Sequence, residues 1–421
     1  MAQTEQTKSD ADERDALIAQ RCPYSDLVMQ GGSREPLAGY AELDSLRDAG
    51  PAHTLGTGEI IYTTYDLVQE VAQRADVFHS KFYDPVTGEE AAFTLVPHQI
   101  DGPIHVKWRR LLASSFSPGT VASLEGSLRA RVNEIIDGFI DRGHCDFAKE
   151  FALRFPTSIF LKHIIGLPVE ELDKFIAWET DILHPESTDR AEAYRASVRA
   201  QTEVTAYLSQ ILEERRKTPA EERGSDLISR AMDWQIDGEP IPHQDLLSFY
   251  LLLFQAGLDT VTASLGYGFH HLASHPADRE RIAADPSVIP NAIEEFLRVY
   301  SVVNIVRTAM TDTEVDGCPV KKGQRFILSL PSGNRDEQHF PDAATVDFDR
   351  TDISHLAFGA GPHRCLGSHL ARQELVIAYE EWHKRIPVYE IDPDIPFDES
   401  RSMLLGLHSL PLRWDPAAVR R

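Results

Sequence analysis

The stretch from Asp245 to Pro276 limits the possible folds more than any other part of this chain. Asp245 offers a helix N-cap after Pro242 and Pro276 supplies a stop. The spacing therefore predicts one helix of roughly 30 residues, ~45 Å long at about 1.5 Å per residue. Its first half, Leu246 to Phe254, is apolar nearly all round, which a helix tolerates only when other elements cover every face. A buried helix of that length needs a large α-rich domain around it. It also carries Gln255, Asp259, Thr260 and Thr262, polar groups that must find partners or serve a purpose.

The flanking segments can supply the covering layers. Val121, Leu124, Leu128, Val132, Ile135, Ile136 and Phe139 recur at helical spacing, and similar patterns run through Phe151–Leu167 and Ala191–Arg216. His53–Tyr65, HTLGTGEIIYTTY, reads as a β-hairpin about a glycine turn. Short strands are expected after residue 310, around the DGCPVKKG turn, and again over Arg385–Ile391 and Met403–Trp414. With no internal repeat or Gly/Ser-rich linker, the expectation is one mainly α domain with small β-sheets over residues 16–421. A solvated polar tail, residues 1–15, precedes it.

Bulk properties exclude several functions. A formal charge of −24 repels polyanions, so neither nucleic acid nor an anionic membrane surface is an expected partner. The apolar run Leu246–Phe254 is far short of the ~20 residues of a membrane-spanning helix. Met1–Arg14 lacks the basic-then-apolar order of a secretory signal, so a cytoplasmic location is expected. Cys22, Cys145, Cys318 and Cys365 are widely spaced without a CxxC pair, which argues against a disulfide framework or a zinc site.

One of these cysteines stands in an unusual string, Phe358-Gly359-Ala360-Gly361-Pro362-His363-Arg364-Cys365-Leu366-Gly367. Its glycines permit backbone angles and close approaches that a side chain forbids, so N–H groups can surround the sulfur. The helix-like run that follows, Ser368-His369-Leu370-Ala371-Arg372, aims its N-terminal dipole at Cys365, and both effects favour thiolate. A redox or nucleophilic cysteine is the rival reading, but that role wants an activating base whose placement the sequence does not establish.

The string resembles the cysteine-ligand signature of the cytochrome P450 family, F-G-x-G-x-H-x-C-x-G, at every fixed position. The resemblance implies that Cys365 ligates the iron of haem b, with Phe358 and Gly359 beside the cofactor. Ala256-Gly257-Leu258-Asp259-Thr260 matches the family's oxygen-activation motif, in which Gly257 leaves room for O2 and Asp259 and Thr260 relay protons. Glu295-Phe296-Leu297-Arg298 matches its E-x-x-R, which joins an arginine here represented by Arg350 to form a structural clamp. His105-Val106-Lys107-Trp108-Arg109 looks like its H-x-x-x-R helix, whose His105 and Arg109 would bind haem propionates through charge-assisted bonds. Arg307 and His355 fall at two further propionate-binding places.

The resemblance runs from about Pro51 to Trp414, closing on LPLRWDPA, and is strongest to soluble bacterial class I, camphor-hydroxylase-like members. It implies a triangular, mainly helical domain with a long central helix over haem. Electrons would come from NAD(P)H through a reductase and a [2Fe–2S] or similar ferredoxin.

Segments that line the pocket in similar enzymes read here as Phe93, Leu95 and Val96, then Phe254 and Gln255. Further along they read as Val302, Val303 and Ile305, and as Met403 and Leu404. So apolar a lining favours a compact hydrophobic substrate of terpenoid or aromatic type. Phe93 stands where camphor-binding members place a tyrosine, which argues against camphor itself. Gln255 could bond a substrate oxygen. The leading expectation is a monooxygenase that hydroxylates such a molecule with O2. A peroxide-driven haem-thiolate enzyme and a non-catalytic haem-binding sensor are the alternatives.

Overall fold

A computed structural model describes residues 37–55, 58–81, 94–184, 190–401 and 403–420. The expected tail at residues 1–15, Cys22 and the pocket candidate Phe93 lie outside the described residues. The N-terminal hairpin forms as its sequence predicts, with β1 (Ala52–Thr54) antiparallel to β2 (Ile60–Tyr62). Helix α1 (Tyr65–Gln73), β3 (Phe78–His79), α2 (Gly102–Ala113) and α3 (Glu125–Asp137) follow.

The helical middle is less regular than its periodicity suggests. Ala148–Ala152 and Phe160–Ile165 are π-helical turns on either side of an α-helix, Arg154–Ile159. Wide turns of this kind are rare and concentrate at functional sites; Phe160 and Ile164 line the cavity described below. Then come α4 (Leu172–Leu183), α5 (Arg190–Arg216), α6 (His243–Gly257), α7 (Asp259–Ser274) and α8 (Ile289–Val299). Strands β4 (Asn304–Ala309) and β5 (Arg325–Ser329) and helix α9 (Ser368–Arg385) complete the frame.

The expected central helix is therefore α6 plus α7, and two details differ from expectation. It begins at His243 after extended Pro242, so Asp245 is not the cap but lies in the first turn, where its charge still suits the helix dipole. It is also interrupted at Leu258 (φ −101°, ψ −64°). The Thr262 hydroxyl donates to the Leu258 carbonyl (3.1 Å) and to that of Ala152 (3.0 Å), while the Thr262 N–H to Leu258 bond is stretched to 3.5 Å. A hydroxyl inserted into the i to i−4 ladder bends a helix in this way. By length and apolar content residues 243–274 would suffice to cross a bilayer, but 67 % of the most apolar window is buried within the protein. Here it is the core helix.

Three apolar clusters surround it. One joins α3, α7, α8 and α9 through residues such as Phe147, Phe269, Tyr379 and Trp382. A second joins α2 with α4, α5 and α6 through Trp108, Phe175, Leu208 and Phe249. The third lies on a five-stranded sheet of order β1-β2-β5-β4-β3, in which Ile327 sits opposite Ile61 in a parallel pair and opposite Val306 in an antiparallel one. DGCPVKKG forms the expected hairpin turn, with Asp316 and Gly317 both at positive φ.

Towards the C-terminus the expected strand at Arg385–Ile391 shrinks to Glu390–Ile391. Arg385 ends α9, whose last-turn cations His383, Lys384 and Arg385 suit a helix C-terminus. Leu405–Ser409 and Pro411–Arg413 are strands as expected. The fold is mainly α-helical, with small sheets and a long central helix.

Candidate active site

Glu295 and Arg298, one turn apart on α8, are both fully buried and form a two-point ion pair at 2.7 and 2.9 Å. Arg298 also donates to the carbonyls of Asn334, Ala343 and Thr345. Glu295 accepts the Asp347 N–H (3.0 Å) and faces Arg350 at 3.2 Å. This group ties α8 to the segment leading into the cysteine loop. None of its members touches the cavity, in keeping with a structural clamp.

The loop itself is shaped by its backbone. Gly359 and Gly361 both sit at φ +69°, which an L side chain adopts only under strain. A Cβ on Gly361 would also lie 2.5 Å from the Ala72 carbonyl oxygen. The Cys365 N–H donates to the Phe358 carbonyl (2.8 Å), the Gly367 N–H bonds the sulfur, and α9 starts at Ser368. Burial pushes the thiol up, and Gly367 with the charges of Arg109, Arg364 and Arg372 pulls it only part of the way back. The protein alone thus does not secure the thiolate that the sequence suggests; a coordinated metal ion would.

Cys365 opens onto a cavity of about 430 Å³ between this loop and the central helix. Phe358, Leu366, Leu370 and Ala371 form one side, and Leu252, Leu253, Ala256, Gly257, Thr260 and Val261 the other. Val302, Val303 and Ile305 close one flank. Cys365, His98 and Ala256 are accessible from the cavity while protein surrounds them elsewhere. Glu374 of α9 borders the same space, and its burial pushes the carboxyl well above the usual range, so it is a neutral acid.

The polar end of the cavity carries His98, His105, Arg109, Arg307 and His363. His363 bonds Asp101 (2.8 Å) and stacks on His105 at 4.2 Å. Burial and the Arg307 charge push His98 down to about 4, and burial and His363 do the same to His105. Both imidazoles are therefore held neutral near pH 7 by the protein groups around them. Arg109 and Arg307 bring positive charge to this end. Burial pushes Arg307 down to about 10, and its Nε has no hydrogen-bond partner among the described residues.

Other expected site residues lie elsewhere. His355 is directed away from the cavity: Nε2 faces Glu294 (3.1 Å), which Arg372 also grips, and Nδ1 accepts the Ala357 N–H (3.2 Å). Both ring nitrogens are taken, so His355 is a brace and not a propionate ligand here. Leu95 and Val96 pack into the α2–α6 core, leaving the adjacent Pro97 and His98 on the wall. Phe254 packs on Phe160 and Phe175 instead of the cavity. Met403 and Leu404 lie behind Asn304 and Val303, which they pair through the backbone. Gln255 is half-buried off the wall; Ala256 and Gly257, next in sequence, face inward.

That placement changes what Gln255 is expected to do. Gln255→Leu should leave the affinity for an oxygenated terpenoid within about twofold, since a hydrogen bond that is not made contributes nothing. Titrating the variant by its haem absorption checks this.

At the polar end, His98 and His363 are the contributors that sequence reasoning left out of the site. His363 was visible within the cysteine motif. His98 had no local signal, being two residues past the expected pocket segment.

Thr260 lines the cavity and its hydroxyl bonds the Ala256 carbonyl at 3.3 Å. Asp259 points the other way, is buried, and meets His184 Nε2 at 2.5 Å. The acid and the alcohol therefore face different sides of the helix immediately after its break.

The donor set tests what the cavity could hold. Two guanidiniums at one end, one of them with an orphaned nitrogen, suit carboxylates. Apolar walls suit a flat hydrophobic body, and one cysteine thiol on the wall suits a metal ligand. Haem b fits all three. Arg109 and Arg307, with His98, His105 and His363 beside them, would hold its propionates, and Cys365 its iron. Bound there, it would supply the metal centre at which O2 is activated, with the thiolate donating electron density.

Comparison with known proteins points the same way. A family model described as cytochrome P450 matches residues 171–381. "Probable cytochrome P450 127A1" of Sinorhizobium fredii is 33 % identical over 362 residues, 85 % of this chain and 84 % of that protein. The methyl-branched lipid omega-hydroxylase of Mycobacterium tuberculosis is 29 % identical over 381 residues, 86 % of each chain. The crystal structure of CYP109E1 from Bacillus megaterium in complex with testosterone is 25 % identical, with a TM-score of 0.83 over 91 % of this chain and 100 % of that one.

Proposed function

Because the chain belongs to the cytochrome P450 family, a family of haem-dependent oxidoreductases, we propose that it hydroxylates a compact apolar substrate, a terpenoid or an aromatic. One oxygen atom of O2 goes into an unactivated C–H bond. Electrons come from NAD(P)H through a reductase and a [2Fe–2S] or similar ferredoxin, in the cytoplasm. The observation that carries this reading is a cavity with both Cys365 and Thr260 on its walls and Val302, Val303, Ile305, Leu253 and Phe160 around the remaining space. Such a lining binds by burial of apolar surface and offers few polar groups to fix orientation. The relatives named for acting on a branched lipid and for binding testosterone support an apolar ligand. The acid and alcohol at 259 and 260 favour O2-driven over peroxide-driven chemistry, since they give O2 reduction a route for protons.

A screen of monoterpenes, small aromatics and testosterone for a substrate-induced spin-state shift of the haem tests the substrate class. Product formation with NADH, spinach ferredoxin and its reductase tests the reaction. Turnover with hydrogen peroxide but not with the ferredoxin system would overturn the O2-driven reading. A spin shift without product under either would leave only a binding role.

A further inference from the structure

Asp259 belongs to a buried titratable cluster behind the central helix that the cavity does not reach. His184, at the C-terminal end of α4, places Nε2 2.5 Å from Asp259 Oδ2; the two side chains are 11 % and 9 % exposed. Glu179, on the same helix, is buried, and neither of its carboxyl oxygens has a hydrogen-bond partner among the described residues. Thr157 is near it, but the Thr157 hydroxyl already donates to Leu153 (2.6 Å). On the other side the His408 ring meets His184 edge-on at 4.3 Å. Asp398 and Lys149 stand behind His408.

We propose that His184 is the positioning residue that supplies protons to Asp259, and through it to Thr260 and the cavity, from the outer side of the central helix. In the step, the His184 Nε2–H bond breaks and an O–H bond forms on Asp259 Oδ2. The imidazolium becomes neutral and the carboxylate becomes a carboxylic acid. The Asp259 O–H bond then breaks as Thr260 Oγ1 accepts that proton and releases its own hydroxyl proton into the cavity, which restores the carboxylate, and His184 regains a proton from solvent at its accessible edge. The helix break at Leu258 frees the first turn of α7, where Asp259 must reorient between its two neighbours. The proposal rests on the monooxygenase reading, which requires protons to reach reduced O2.

The surrounding electrostatics suit this role. Burial alone would lower the His184 imidazole, but the charge and hydrogen bond of Asp259 hold it above its ordinary value. The proton donor is thus populated near neutral pH, where general acids work best. Burial and the Asp259 charge push Glu179 well above the usual carboxylate range, so it stays neutral and does not compete for His184. Burial and His184 push His408 down, so it adds no second charge.

The test compares the wild-type holoenzyme with His184→Gln and His184→Lys, using the terpenoid or aromatic selected by the spin-state screen. Expected for wild type is a kcat that falls as pH rises through the His184 titration. His184→Gln should lose at least ~10-fold in kcat, less than the 10²–10⁴ of a directly acting acid. It should also lose that limb of the pH profile, with KM and the spin-state shift unchanged. His184→Lys should restore the ion pair but not turnover, because its pKa is far from the working pH. Wild-type turnover in His184→Lys, or an unaltered pH profile in His184→Gln, overturns the proposal.

Thermal unfolding provides a readout that needs no substrate. A group whose folded pKa is raised stabilises below its unfolded value, and that stability is lost as pH rises through the folded value. The stability advantage of wild type over His184→Gln should therefore be full below about pH 6.5 and shrink above it. A difference that does not change with pH overturns the coupling. If the screen finds no ligand, the substrate reading fails while this coupling is still decided.

Discussion

Cys365→Ser is expected to abolish the thiolate-type absorption of the reduced CO complex and to lower turnover by more than ~100-fold, the upper end of what losing a mere supporting residue costs a metal site. The loop should keep its shape, because what fixes it is backbone: the Cys365 N–H to Phe358 bond, the 3₁₀ turn at Gly361–His363 and the positive φ of Gly359 and Gly361. The loss is electronic. A serine hydroxyl is a harder, far less electron-releasing donor than a thiolate, so the iron would no longer be pushed towards O–O cleavage. Absorption spectra of the reduced protein under CO, with circular dichroism to verify the fold, decide the matter. Survival of the thiolate-type spectrum would refute Cys365 as ligand.

Glu295→Gln should have the largest effect on stability. The carboxylate, itself fully buried with Arg298, serves Arg298 twice, the Asp347 N–H and the Arg350 guanidinium. Removing its charge leaves Arg298 buried without a counter-ion, and breaking such a pair costs about 3–5 kcal/mol. Denaturant unfolding should show a lower midpoint with an unchanged m-value. The pH dependence follows from the same site. Burial would raise the Glu295 carboxyl, but Arg298 and the Asp347 N–H hold it below its ordinary value. Its contribution is therefore present above the unfolded-state pKa and lost as pH falls through the folded one. Wild type should lose this part of its stability on acidification, and Glu295→Gln should not. Equal acid sensitivity in both would show that the clamp is not what titrates.

What could be read from the sequence, and what could not, follows from the range of the interactions. The cysteine loop, the hairpin at β1–β2 and the long apolar helix were legible because each is encoded over ten to thirty consecutive residues. The helix break at Leu258 was not, since its cause is a Thr262 hydroxyl reaching Ala152, 110 positions away. The orientation of His355 depends on Glu294 and Arg372, and the partnership of Asp259 with His184 spans 75 residues. In the pocket the spacing placed Val302, Val303 and Ile305 correctly, missed the inward-facing residues of two other segments, and expected Met403 and Leu404 on a wall they do not reach. Leu95 and Val96 gave way to Pro97 and His98, and Gln255 to Ala256 and Gly257. On a helix, a slip of one position turns a side chain by roughly 100°.

The attachments of the cysteine loop set the order in which this protein can be assembled. Gly361 must slide beneath the Ala72 carbonyl, His363 must find Asp101, and Arg372 must reach Glu294. The first two join parts of the chain made early to parts made almost last, 262 residues apart in the case of His363 and Asp101. Synthesis runs from the N-terminus and distant pairings form slowly. A chain still on the ribosome and ending before residue 361 would therefore hold α2 and α4 to α6 but lack both α9 and the cysteine loop. Cofactor capture becomes a late event, completed only when nearly the whole polypeptide has emerged.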